Sequence, residues 1–158
     1  MPEVEQSLIT DAHRAQIGVK SEAAIVRVRE EDARRMRDSL GDSDPRYADG
    51  TGVAPPYVLA MFGGRPGGPG ARGGRGMPSI LPGGLLTQQE WRFTRPFRID
   101  EDLTAITQVT DIRERLGGRY GYSVLVTSET DYFGADGEHV AAVMTTITQF
   151  DPKGAKAE

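Results

Sequence analysis

The residues best placed to do chemistry lie in one short stretch, Gly41-Asp42-Ser43-Asp44-Pro45-Arg46-Tyr47-Ala48-Asp49. It carries three carboxylates, Asp42, Asp44 and Asp49. A carboxylate can take a proton from water or from carbon when its surroundings tune it. The same composition also describes a polar turn with solvated aspartates. On chemistry alone the turn is the simpler reading. Other reactive side chains are few. The chain has no Cys, hence no disulfide framework, thiolate metal site or cysteine nucleophile. Its two histidines, His13 and His139, are too few for a multi-histidine metal centre. His13 lies in an N-terminal arm. His139 lies in an expected strand with no serine or carboxylate placed beside it by sequence. Neither is assigned a catalytic role.

Two further motifs turn out bland. Gly68-Pro69-Gly70-Ala71-Arg72-Gly73 is a literal G-x-G-x-x-G. A dinucleotide fingerprint must follow a strand and open a helix, and this one sits among Pro and Gly instead. Arg65, Arg72 and Arg75 between glycines have the look of an RNA-binding segment. Only three arginines occur there, no aromatic accompanies them, and the chain is acidic overall at net charge −4. Nucleic acid is therefore not an expected partner.

These motifs need elements to hold them. The chain of 158 residues is long enough for one domain with a real core. Half of its 20 glycines fall in one strap, 63–84, with Pro66, Pro69, Pro78 and Pro82. The expected organisation is an arm over 1–16, one domain over 17–150 interrupted by that strap, and a polar tail over 151–158. The N-terminus is acidic and polar, unlike a signal peptide, and no apolar run approaches the roughly 18 residues that span a bilayer. A cytoplasmic protein off the membrane is expected.

Residues 1–22 show little periodicity and are read as an arm with one short helix. Residues 23–29 are rich in β-branched types and read as a strand. Over 30–40, Ala33, Met36 and Leu40 recur at helical spacing, Glu30, Glu31 and Asp32 suit the positive helix end, and Gly41 suits the position after the last turn. Residues 53–62 are almost wholly apolar, with Pro55 and Pro56 at the start, and predict a buried helix. Strands follow over 85–95, 103–113, 119–133 and 138–150. Trp91 and Phe93 share one face of the first. In the second, Ile106 and Ile112 are expected on one face, with Leu103, Ala105 and Val109 on the other. Gly134-Ala135-Asp136-Gly137 is a hairpin signal. This order implies an α+β architecture.

Taken together, four segments resemble a family. They are Gly41–Tyr47, Ala54-Pro55-Pro56, Glu90-Trp91-Arg92-Phe93-Thr94-Arg95-Pro96-Phe97 and Asp136-Gly137-Glu138. In this order they are similar to the MaoC-type (R)-specific hydratases and dehydratases, nearest to the N-terminal, FAS1-like dehydratase branch with its accessory subunits. The resemblance covers about residues 17–150. It implies a hot-dog fold, an antiparallel sheet wrapped around a long central helix that 53–62 would begin. It implies reversible hydration of an enoyl thioester, either acyl-CoA or acyl-ACP, with no cofactor and no metal.

The family motif reads Asp-x-Asn-Pro-x-His. Asp42 falls on the catalytic Asp, Asp44 replaces the Asn, Pro45 matches, and Tyr47 stands where the His should be. A phenol, with a pKa near 10, is a poor base at neutral pH. In the accessory branch that His is typically absent and a partner of the same fold supplies the Asp/His pair. The resemblance thus implies a substrate-binding subunit of a hetero-oligomer, with Tyr47, Ala54, Pro55, Pro56 and Tyr57 lining the acyl pocket. The alternatives are a self-sufficient homodimeric hydratase using Asp42, and a non-catalytic acyl-thioester-binding module. A thioesterase is also compatible with the fold. Fatty, aromatic and steroid acyl groups all remain open.

Overall fold

A computed structural model describes residues 6–62 and 77–154. In chain order the elements are α1 (Asp11–Arg14), β1 (Ala24–Arg27), α2 (Glu30–Leu40), β2 (Val53–Ala54), α3 (Leu59–Phe62), β3 (Gly83–Phe93), β4 (Phe97–Arg98), β5 (Asp102–Leu116), β6 (Tyr122–Phe133) and β7 (His139–Phe150). Single 3-10 turns occupy Pro45–Tyr47, Pro56–Val58 and Pro152–Gly154.

One antiparallel sheet dominates, in the order β1-β5-β6-β7-β3. Strands β5, β6 and β7 form a meander because short turns rich in glycine join β5 to β6 and β6 to β7. In the second turn Gly134 N–H donates to the Glu138 carbonyl at 2.8 Å, and Gly137 has φ +81°. That angle suits glycine and strains most other residues. β3 then returns to pair with β7. Its first residue lies hard against Phe150: a Cβ on Gly83 would sit 2.8 Å from the Phe150 carbonyl oxygen. The strap expected to reach residue 84 therefore ends earlier. Met77, Ile80 and Leu81 pack on the sheet, and the Gln149 side-chain oxygen accepts from the Ile80 and Leu81 N–H groups at 2.7 and 3.1 Å. Residues 63–76, where the rest of the strap and its G-x-G-x-x-G fall, lie outside the described residues.

The face assignment of β5 needs one correction. Pairing with β6 skips Thr110, since Val109 opposes Ser128 and Asp111 opposes Thr127. This bulge inserts one residue and reverses the alternation beyond it. Ile112 consequently joins Leu103 and Val109 on the core face, where all three are buried. Simple alternation had placed it with Ile106.

Side chains on the inner face form two apolar clusters. One gathers Val28, Ala33, Val58, Leu59, Phe97, Leu103, Tyr132 and Val143. The other gathers Val109, Ile112, Val124 and Val126 under Ile9. Ile9 comes from the arm, which also extends the sheet edge: Gly18 N–H donates to the Val109 carbonyl at 2.8 Å and Ser21 N–H to that of Thr107 at 2.7 Å. This segment takes over where β1 stops pairing with β5 at Ala105.

Helix α2 follows the sequence closely. Its acidic first turn complements the helix dipole, and Ala33 and Met36 face the first cluster. The segment 53–62 differs from expectation. Val53 and Ala54 pair with Arg98 and Phe97 as a two-residue ribbon. Helical geometry begins only at Pro56, because a residue before proline is pushed out of the α region, and both Ala54 and Pro55 precede one. Val58 and Leu59 are fully buried, while Ala60 is exposed. Among the described residues helical structure here spans Pro56–Phe62, and any longer central helix lies outside them.

Candidate functional site

The loop after α2 is built by its own side chains. Gly41 ends the helix in left-handed geometry, at φ +64°, and Asp42 N–H donates back to the Arg37 carbonyl at 2.9 Å. This directs the Asp42 carboxylate into the loop. One of its oxygens accepts from the Asp44 N–H at 2.9 Å. The other accepts from the Tyr57 hydroxyl at 2.7 Å. Asp44 in turn accepts from the Arg46 N–H at 3.0 Å and from its guanidinium at 2.6 Å, capping the Pro45–Tyr47 turn.

Arg37 is the post on which the loop is hung. Its side chain is only 9% exposed, and it donates to the Tyr47 carbonyl and to the Asp49 carboxylate. Arg34 reaches the same carboxylate at 2.8 Å. The Asp42 and Tyr57 groups also set each other's charge. The Tyr57 hydroxyl, and then the Asp44 N–H, hold the Asp42 carboxyl below its usual range. Burial, and then the anionic Asp42, push the Tyr57 phenol up to about 12. At neutral pH the pair is a carboxylate and an intact phenol.

Of the five residues expected to line an acyl pocket, the structure joins one to Asp42. That residue is Tyr57, not Tyr47. Tyr47 is half-buried at the end of its turn, with the Arg46 guanidinium 5.3 Å from the centre of its ring. Ala54 and Pro55 are sealed in the core, and Pro56 is exposed.

The structure also brings together a group that sequence reading left apart. On the outer face of the sheet, His139 Nε2 lies 2.8 Å from Asp131 Oδ1, and Nδ1 lies 3.2 Å from Thr94 Oγ1. The hairpin register carries the signal, since Phe133 opposes His139 and Asp131 is the next residue on that face. Beside it Arg95 clasps Glu101 and Glu138, tying the β3–β4 corner to the hairpin. Both clusters fasten strands together. Among the described residues no group of three or more His, Asp or Glu is arranged to hold a metal ion, and no helix is long and apolar enough to cross a membrane. A cavity of about 160 Å³ lies between the arm and the inner face, bordered by Val19, Met77, Thr107, Val109 and Ser128.

A curved antiparallel sheet with α2 and the Pro56 helix on its inner side, and an Asp-x-Asp-Pro loop at its edge, defines a hot-dog protein of the dehydratase class. The chain belongs to the family described as FAS1-like, dehydratase domain region, whose model matches residues 15–143. No curated protein matches the sequence. Among solved structures, it resembles the ChsH1-ChsH2 complex from Mycobacterium tuberculosis, with TM-score 0.71 and 20% identity over 91% of this chain and 97% of that one. It also resembles the HadBC (3R-hydroxyacyl-ACP dehydratase) complex of the same organism, with TM-score 0.60 and 18% identity over 84% and 96%. The R-hydratase PhaJ1 from Pseudomonas aeruginosa gives TM-score 0.57 and 19% identity over 86% and 83%. The family match bears out the resemblance to the FAS1-like dehydratase branch, and these neighbours bear out the hot-dog fold it implied.

Proposed function

We propose that this chain is the substrate-binding subunit of a heteromeric (R)-specific enoyl-thioester hydratase or 3-hydroxyacyl-thioester dehydratase. A partner subunit of the same fold supplies the Asp/His pair. The observation that carries this reading is the state of Asp42. Both of its oxygens are engaged, one by Tyr57 and one by the loop backbone. Its affinity for protons is lowered, which makes it a weak base. Tyr47, at the motif's histidine position, offers a phenol instead of an imidazole. The self-sufficient homodimer is thereby disfavoured.

Strand β3 supports a partner. It is eleven residues long, pairs on one side only among the described residues, and leaves Leu85 and Leu86 exposed at 47% and 57%. Long open edges with apolar side chains invite pairing with another chain. The structural neighbours described as ChsH1-ChsH2 and HadBC are themselves complexes of two different subunits.

The test is reconstitution. The isolated chain, given a short enoyl-CoA such as crotonyl-CoA, is expected to show no hydration. Co-expression with a hot-dog protein containing an intact Asp-x-Asn-Pro-x-His motif, sought first in the neighbouring reading frames, is expected to yield a stable complex with activity. Full hydratase activity of the isolated chain would overturn the proposal.

A further inference from the structure

The inner face of the sheet is not uniformly apolar, although the fold assigns it to the core. Register aligns side chains in rows across β3, β7, β6 and β5. The row Phe93-Ala141-Tyr132-Ala105 is apolar, and so is Leu86-Ile147-Val126-Ile112. Between them run Trp91-Val143-Thr130-Thr107 and Gln89-Thr145-Ser128-Val109. Polar side chains of Gln89, Thr107, Ser128, Thr130 and Thr145 thus fall in the middle of the inner face, in rows whose Val143 and Val109 belong to the first and second apolar clusters.

Strand propensity accounts for part of this band. Threonine favours strands, and Thr107 and Thr130 satisfy each other at 2.8 Å between hydroxyls. It does not account for the rest. Ser128 is 7% exposed, serine gains little from a strand, and no hydrogen bond among the described residues uses its hydroxyl. The Trp91 indole nitrogen is buried and has no partner among the described residues. Buried donors without acceptors destabilise a fold, and a water, an ion or a ligand can satisfy them. The cavity of about 160 Å³ opens at the β5 end of this band, with Thr107 and Ser128 beside the apolar Val19, Met77 and Val109. At roughly 30 Å³ per water molecule, it admits a substituent of a few heavy atoms rather than a whole chain.

We propose that this band reads an oxygen-bearing acyl group: a hydroxyl or keto substituent on the thioester's chain well beyond the C2–C3 bond that the proposed reaction hydrates, received beside Ser128 and Thr107. An unbroken hydrocarbon chain would leave the Ser128 hydroxyl unpaired, and a site built to hydrogen-bond an oxygen rejects the analogue lacking it. The inference rests on the reading of this chain as an acyl-thioester-binding subunit and adds the class of acyl group.

Binding to the full-length chain is read by isothermal titration calorimetry. The probes are dodecanoyl-CoA and its counterparts carrying a keto group at mid-chain or a hydroxyl at the far end. At least one oxygenated thioester is expected to bind about tenfold more tightly than dodecanoyl-CoA, or about 1.4 kcal/mol. Ser128→Ala is expected to bring that ratio below about threefold, while Thr104→Val, on the opposite face, retains it. Circular dichroism verifies the fold of each variant, and Thr107→Val replaces Ser128→Ala if the latter does not fold. Equal binding of all the thioesters overturns this inference and leaves acyl binding standing. A preference that survives both inner-face substitutions also overturns it. Absence of binding by any thioester, the plain one included, overturns the underlying function as well.

Discussion

The Tyr57 hydroxyl donates to the Asp42 carboxylate at 2.7 Å, joining residues fifteen positions apart. This contact ties the loop after α2 to the first helical turn beyond β2. It also takes the only motif carboxylate aligned with a catalytic role and commits it to holding the loop.

The first consequence is a pH effect with a definite sign. A carboxyl whose pKa is lowered on folding contributes stability above its unfolded pKa, near 4, and loses it as pH falls through the folded value. Tyr57→Phe removes the largest cause of that lowering. NMR titration of the Asp42 carboxyl is expected to show its midpoint rising in the variant toward about 3.9. The acid limb of a stability-against-pH curve is expected to become shallower below about pH 4.

The second concerns turnover. In a reconstituted complex, Asp42→Asn is expected to leave kcat within about threefold of the parent. Loss of a general base costs about a hundredfold to ten-thousandfold. Steady-state kinetics decide between the two, and a loss in the larger range would return the chemistry to this chain.

Truncating Ile112 tests the bulge in β5. The extra residue Thr110 is what puts Ile112 on the core face, where it is 4% exposed. Ile112→Ala is expected to cost about 2 kcal/mol or more, measured by urea denaturation, as for a buried isoleucine. A loss below about 1 kcal/mol would contradict the face assignment.

Arg95→Met addresses the corner between β3 and β4. The Arg95 and Glu101 side chains are 13% and 14% exposed, and Glu138 adds a contact at 3.0 Å. Removing one partner of such a pair leaves the other charge part-buried. A loss of about 2 kcal/mol is expected, between the values for exposed and fully buried pairs. Glu101→Gln in the same background is expected to recover part of it, since the stranded charge is then gone.

Much of the architecture is written locally. Helix α2, its glycine stop and the 134–137 hairpin each depend on residues within a few positions of one another, and the structure matches them closely. The four long strands lie within three residues of their expected bounds, β5 ending three residues further on and β6 starting three residues later. The dehydratase resemblance likewise rests on local strings and carries through to the fold.

What escaped local reading has one physical character. The bulge at Thr110, the place of Ile9 in the core, the Asp131–His139 contact and the choice of Tyr57 over Tyr47 all depend on which strand faces which, and in what register. Hydropathy along the chain records that Asp42 is polar and Tyr57 is aromatic. It does not record that folding sets their oxygens 2.7 Å apart. The sequence alone determined the loop, the helix before it and the missing histidine, because short-range sterics, capping and motif identity suffice for those. Only the tertiary structure decided that Asp42 is bound to a phenol and that the inner face carries a polar band, because side chains distant in sequence meet only when the sheet closes its register.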